Sequence, residues 1–187
     1  MHGDSSEANK ATPVATFKTL NWSDLDTWAI AAGHGVVTLH HEDQLAASTW
    51  LKQHKYEVFH LDFANGITPV VKRLGIALGW SSQFGAGHEL RPESRNLDSL
   101  RDGFRFDVPE LGGLVLSLDA FEIAWKEDPR WSAGFLAIVS EFSLQQMALG
   151  NRFFAVIEFA DAASVLLDSQ FEKLLIGYPF KFRAAAV

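Results

Sequence analysis

The chain has 187 residues, of which 48% are hydrophobic and 21% charged, as is typical of a soluble globular protein with a substantial core. Its net charge of −7 argues against binding to nucleic acid phosphates, and the absence of cysteine excludes disulfides, zinc–thiolate sites and thiol nucleophiles. No apolar run approaches the roughly 20 residues of a membrane-spanning helix, and the first residues lack the pattern of a signal peptide. We therefore expect a cytoplasmic protein that binds neither membranes nor nucleic acid.

A short tail followed by one domain is predicted from the distribution of polar and apolar segments. Residues 1–13 are polar and end in Ala11-Thr12-Pro13, which indicates a mobile tail. Residues 14–187 contain no internal repeat and no low-complexity linker. We therefore expect them to form a single α/β domain.

The first elements predicted in this domain are a helix, a strand, a second helix and a second strand. Ser23 is a candidate N-cap for a helix that ends near Gly33. Residues 36–40 and 56–63 have the apolar pattern of strands, and residues 42–55 between them have that of a helix. This order predicts a βαβ unit with parallel strands.

A helix is predicted next, between two turn signals. Asn65-Gly66 indicates a turn, and Thr68 and Pro69 are suited to the N-cap and the first helical position. Gly79 is expected to end this helix.

Residues 96–103 predict a further helix with one side in the core. Asn96 is a good N-cap, because its side-chain oxygen can accept from the free N–H groups of the first turn. Leu97, Leu100 and Phe104 then form a single apolar stripe.

Two aspartates lie on another side of the same helix. Asp98 and Asp102 are four residues apart and emerge side by side, which costs roughly 0.2–0.5 kcal/mol in an isolated helix. Arg101 and Arg105 each follow one of these acids by three residues, so both acids could form ordinary surface ion pairs. Spacing alone leaves open whether the aspartates are a binding feature or such pairs.

The remaining segments predict a strand, a long helix, a strand, a helix and an edge strand. Residues 114–118 and 153–159 are the two apolar strands, and residues 161–175 and 178–182 follow as the last helix and the edge strand. The long helix ends at Gly150, and its predicted core stripe consists of Phe135, Ile138, Val139, Phe142 and Met147.

The motif Asn96-Leu97-Asp98-Ser99-Leu100-x-Asp102 resembles the Asn-Leu-Asp-Ala-Leu-x-Asp signature of the barstar family of ribonuclease inhibitors. The flanking strands and helices, with the aromatic–glycine pair Phe84-Gly85, follow in the order of that family over about residues 56–158. The resemblance implies an enlarged barstar-like α/β fold, with a parallel sheet flanked by helices. Its core would be residues 56–158, with extensions at residues 14–55 and 159–187.

The function implied by this resemblance is non-catalytic and needs no cofactor. An immunity protein of this kind inhibits a basic protein, a ribonuclease or related toxin, by inserting an acidic helix into its active site. Asp102 would be the principal anchor, Asp98 its neighbour, and Asn96 a cap and rim contact. The acidic excess of residues 76–150, with 11 acidic and 6 basic side chains, would also steer a basic partner towards this surface.

The chain departs from the family pattern at several positions of the implied contact surface. Arg101 stands where the family has an aromatic contact residue, Gln145 where it presents a glutamate, and Phe84 where it has a tyrosine. An insertion of about ten residues, 86–95, follows Phe84-Gly85 and either extends the binding surface or blocks it. Trp80, just before this loop, is either an exposed contact or a core residue, with core packing favoured.

Two other functions are compatible with the sequence. One is an interaction module whose partner is not a nuclease. The other is a small α/β enzyme or nucleotide-binding protein that uses the 85–95 loop, although Gly85-x-Gly87-x-x-Leu90 is only a defective dinucleotide motif. His40-His41-Glu42 predicts a surface turn rather than a metal site, since adjacent side chains on a strand point in opposite directions.

Overall fold

Four parallel strands form the centre of the fold in the computed structural model, which describes residues 34–39 and 44–158. The strands are β1 (Val36–Leu39), β2 (Tyr56–Asp62), β3 (Gly113–Asp119) and β4 (Phe153–Glu158). Their order in the sheet is β1-β4-β3-β2, and every neighbouring pair is parallel. The predicted fold class, an α/β domain with a parallel sheet flanked by helices, is confirmed.

Helices cover both faces of this sheet. They are α1 (Gln44–Gln53), α2 (Ile67–Ala77), α3 (Trp80–Phe84), α4 (Leu97–Gly103), α5 (Phe121–Glu127) and α6 (Pro129–Leu149), with a 3₁₀ turn at Ser94–Asn96. Alternate residues of the strands belong to two separate hydrophobic clusters, as expected for a sheet buried on both faces. The larger cluster includes residues of α2, α4, α5 and α6, whereas the smaller one includes residues of α1.

The predicted βαβ unit is only partly right. Strands β1 and β2 are parallel, but they lie at opposite edges of the described sheet, with β3 and β4 between them. Strands β3 and β4 are apolar on both faces and buried almost throughout, so they take the central places. Strand β2 carries exposed Glu57, His60 and Asp62, which suit an edge.

Helix α2 begins one residue before the predicted cap Thr68, and Pro69 is its third residue. Its N-cap is Gly66, at a φ of 83°, and the N–H of Ile67 donates to Glu127 Oε2 at 2.9 Å. The acceptor at the start of α2 is therefore a carboxylate from the end of α5, and not the hydroxyl of Thr68. The positive φ of Gly66 favours glycine at this position, and an added Cβ would lie 2.5 Å from the carboxylate oxygen, so the Glu127 side chain would have to move away from the helix start.

Helix α6 agrees closely with the prediction. Asp128 accepts from the N–H of Trp131 at 2.9 Å and caps the helix, and Gly150 ends it in the left-handed conformation. The predicted stripe residues Phe135, Ile138, Val139 and Phe142 are buried in the larger cluster. Met147 is different, because it packs, partly buried, against the smaller cluster on the α1 side of the sheet.

The predicted tail of residues 1–13, the helix from Ser23 to Gly33 and the last helix and edge strand lie outside the described residues. The His40-His41-Glu42 turn also lies outside them. None of the helices in the described part of the chain has the length and hydropathy needed to cross a membrane.

Candidate functional site

Helix α4 is fixed to the core by the predicted apolar stripe. Leu100 and Phe104 are 2% and 3% exposed, and Leu97 packs, partly buried, against the same cluster. Helix α6 leaves room for Leu97 at Gly134, where an added Cβ would lie 2.4 Å from the leucine Cδ1. The opposite side of this short helix therefore faces solvent in a fixed orientation.

The C-terminal end of α4 is held by α3. Gln83 donates from Nε2 to the carbonyl of Gly103 at 3.2 Å. An added Cβ at Gly103 would lie 2.5 Å from the ring of Trp80 and 2.7 Å from that of Phe84, so the two elements are in close contact. Trp80 is buried, as core packing predicts, whereas Phe84 is 39% exposed and packs against it with ring centroids 4.3 Å apart and the planes tilted by 35°. Phe84 thus presents an aromatic surface next to α4.

The prediction that the side chain of Asn96 caps α4 is wrong. Asn96 occupies the N-cap position, but its side chain bonds no helical N–H and donates instead to the Glu93 carboxylate. The residue ends the 3₁₀ turn with φ −96° and ψ 5°, outside the extended conformation that lets a cap side chain reach back to the first turn. The start of α4 is tied to α6 by Ser94, whose hydroxyl donates to Asp128 Oδ2 at 2.9 Å.

Asp98 belongs to a chain of ion pairs across the surface. Its side chain is 91% exposed, and Oδ1 lies 3.3 Å from Arg101 Nη1. The same guanidinium contacts Glu141 of α6 through Nε at 3.1 Å, so two carboxylates share one arginine. Exposed pairs of this kind contribute about 0–1 kcal/mol each, so a partner can displace them at little cost.

Asp102 has no such partner in the part of the chain that the structure describes. Its side chain is exposed, and it makes no hydrogen bond or ion pair with any residue of 34–39 or 44–158, including Arg105 three positions later. Of the two surface pairs considered from the sequence, only the one between Asp98 and Arg101 is formed. Asp102 therefore presents to solvent a carboxylate that no described residue compensates.

Gln145 lies on α6, one turn after Glu141, and its Nε2 is 3.5 Å from the Glu141 Oε1 acceptor. The structure thus connects Asp98, Arg101, Glu141 and Gln145 in a continuous polar surface. Glu141 was not singled out from the sequence, although its position four residues before Gln145 places both on one side of α6. We refer to Asp98, Arg101, Asp102 and Glu141, with Gln145 beside them, as the α4 face.

The 86–95 insertion does not cover the two aspartates. It lies against α2 and α3, where a cavity of about 340 Å³ is lined by residues of α2 and by residues 88–92. A second cavity, of about 300 Å³, lies between the loop and the start of α4 and reaches Asn96 and Ser99. Asp98 and Asp102 line neither cavity, and both remain exposed.

A second polar group, not predicted from the sequence, lies where β2, β3 and β4 end. His60 Nδ1 is 3.1 Å from Asp119 Oδ2, and Ser117 Oγ lies 2.6 Å from Asp119 Oδ1 and 3.3 Å from Glu158 Oε1. Gln44 of α1 donates to the other Glu158 oxygen. We call these five residues the sheet-end cluster. Asp119 and Glu158 are opposite each other in the β3–β4 register, which residue spacing along the chain does not reveal.

Burial, and then the nearby negative charge of Asp119, raise the pKa of the Glu158 carboxyl above its ordinary value of 4.5. Hydrogen bonds from Gln44 and Ser117 and the proximity of His60 oppose this shift. The folded protein therefore binds this proton more tightly than the unfolded chain. Glu158 consequently contributes stability below pH 4.5, and that contribution is lost as the pH rises through the raised pKa of the folded state.

We expect Glu158→Gln to reduce this loss of stability. The free energy of unfolding of both proteins would be measured in urea between about pH 4 and pH 8. The difference between them, variant minus parent, should increase as the pH rises above 4.5, because only the parent loses the contribution of Glu158. Glu57→Gln, which removes an exposed carboxyl from β2, is the comparison for the loss of one charge. A difference between Glu158→Gln and the parent that stays constant over this pH range would contradict the expectation.

No group of three or more His, Cys, Asp or Glu side chains in the described ranges is arranged to hold a metal ion.

In comparisons of the chain with known proteins, no family model, no curated protein and no solved structure matches it.

Proposed function

We propose that this protein is a non-catalytic inhibitor that binds a basic protein, a ribonuclease or related toxin, through the α4 face. The support comes from the barstar-like motif in the sequence and from the arrangement of α4, which has a buried apolar side and an exposed acidic one. The face combines three carboxylates with one guanidinium, and its excess negative charge would attract a cationic cleft.

The exposed carboxylate of Asp102 is the observation on which the proposal depends. It lies on a helix that Leu100 and Phe104 hold in the core, and no described residue neutralises it. A cationic side chain of a partner can bind it without first breaking an internal ion pair. Because the helix is already ordered, little further conformational entropy is lost on binding.

Arg101 modifies the chemistry expected of the partner. Its guanidinium is shared between Asp98 and Glu141, so it places a partly neutralised patch beside Asp102. The strongest cationic contact of the partner should therefore fall on Asp102, and weaker contacts on the Asp98 side of the face.

The test is capture of the partner with the full chain as bait, followed by an activity assay. Proteins retained from the source cytoplasm by the parent, but not by an Asp102→Ala bait, would be purified and assayed for ribonuclease activity and toxicity. One equivalent of the parent protein should abolish that activity. A specific partner whose activity is unchanged at saturation would indicate an interaction module without inhibition and would overturn the proposal.

A ligand-binding role for the 85–95 loop is the second candidate function. Lys72 and Arg91 line the 340 Å³ cavity under this loop together with His88 and Glu89, and the two cationic side chains suit a phosphate-bearing ligand. A higher melting temperature on addition of a nucleotide, lost in Arg91→Ala, would favour this function over inhibition.

A further inference from the structure

A groove lies on the α1 side of the sheet, whereas α4 packs on the other side. Its volume is about 350 Å³, and its apolar wall includes Leu51 of α1 with Val58, Val115 and Val156 of three adjacent strands. Val58 is 39% exposed, so the wall is accessible at this residue of edge strand β2, whereas Val115 and Val156 are 0% and 2% exposed and form the buried floor behind it. We call this space the sheet-end groove, because it opens beside the sheet-end cluster.

One end of the groove is polar and acidic. Four members of the sheet-end cluster, Gln44, His60, Ser117 and Glu158, line it directly. Asp119 lies immediately behind them, because the Ser117 hydroxyl oxygen is within 3.3 Å of a carboxylate oxygen of each acid. Ser117 is 3% exposed and Glu158 is half-buried, so bulk water screens these carboxylates less than it screens surface acids.

No arginine or lysine of the described ranges pairs with either carboxylate. Within residues 34–39 and 44–158, Asp119 is hydrogen-bonded to the His60 ring, and Glu158 forms no ion pair. The carboxyl ends of parallel strands are the usual location of ligand sites in α/β proteins. An occupant that complements this groove needs an apolar body for the valine wall and a positive charge for its acidic end.

We propose that the sheet-end groove binds a small organic cation, a primary amine with an apolar body. The ammonium group would donate to Glu158 at the acidic end of the groove, with the charge of Asp119 behind it, and the apolar body would cover Val58 above the buried Val115 and Val156. The raised pKa of Glu158 agrees with this, since burial and then the negative charge of Asp119 disfavour its ionised form, and a bound cation would offset both.

Three probes with the same phenyl body test the charge requirement. The full chain would be titrated with 2-phenylethylamine, 2-phenylethanol and 3-phenylpropionate, and binding followed by the NMR shifts of the valine methyl groups. We expect the amine to bind at least tenfold more tightly than the alcohol and to move the resonances of Val58, Val115 and Val156. The carboxylate should produce no saturable shift.

Two variants and a control locate the site. Glu158→Gln should weaken amine binding at least tenfold and leave alcohol binding unchanged. Val58→Lys, at an exposed position on the groove wall, should also weaken amine binding at least tenfold, without altering the sheet-end cluster. Glu57→Gln removes a carboxyl from the opposite face of β2 and should have no effect.

The proposal is overturned if the amine does not move the valine resonances, if the carboxylate binds as tightly, or if Glu158→Gln binds the amine like the parent. None of these outcomes depends on the α4 face or on the identity of a protein partner.

Discussion

Replacing Asp102 with alanine should weaken binding to the basic partner by more than about 2 kcal/mol, a loss of roughly thirtyfold in affinity. Its carboxylate has no counter-ion among the described residues, so it can act as the main anchor for a cationic group. Truncation would leave that group of the partner buried and unpaired, and this penalty makes the loss large. The measurement is calorimetric titration of the captured partner with the parent and the variant.

Two further substitutions separate this anchor from general electrostatics. Glu57→Ala changes the net charge equally but lies on β2, and it should alter affinity by less than about 0.5 kcal/mol. Asp98→Ala should have an intermediate effect, because its carboxylate is already paired with Arg101. Equal losses of affinity for Asp102→Ala and Glu57→Ala would show that α4 does not form the interface.

Replacing Phe135 with alanine should destabilise the fold by about 3–5 kcal/mol. Its ring is fully buried, stacks on Trp131 at 5.1 Å, and lies 6.3 Å from Phe104 and 6.5 Å from Phe63. These neighbours come from α6, from the residue that ends α4, and from the residue after β2. The cavity left by the substitution would therefore loosen the support of α4 as well as the core.

Urea unfolding of the parent and of Phe135→Ala measures this effect. The matched control is Leu149→Ala on the same helix, because Leu149 is 66% exposed and its truncation should change stability by no more than about 0.5 kcal/mol. Similar losses for the two variants would show that the aromatic cluster is not the main support of α6.

Local sequence patterns predicted most of the elements but not their neighbours in space. The spacing of apolar residues located four strands and the long helix to within a few residues, because burial of one or both faces of an element determines which of its positions are apolar. The order of the strands depends on pairing between distant segments, and the βαβ unit was therefore misplaced. Thr68 was wrongly chosen as a cap for a similar reason, since the acceptor at that helix start is Glu127 from another element.

The α4 face was only partly predictable. Asp98 and Asp102 could be placed side by side from their spacing, whereas Glu141 joins them only because α6 packs along α4. Spacing could not show which aspartate pairs with an arginine, since both have an arginine three residues later and only Asp98 forms the pair. The sheet-end cluster depends on strand register, so the sequence offered little beyond polar residues at the ends of apolar runs.

The position of β1 has a consequence for biosynthesis. In the described sheet this first strand is bonded to β4 alone, with Val36 opposite Ala155. At usual rates of translation the ribosome needs on the order of ten seconds to add the residues between them. During that interval β4, the strand that β1 pairs with in the described sheet, has not been made, so the nascent chain should depend on late closure, or on a chaperone, to keep this apolar segment from aggregating.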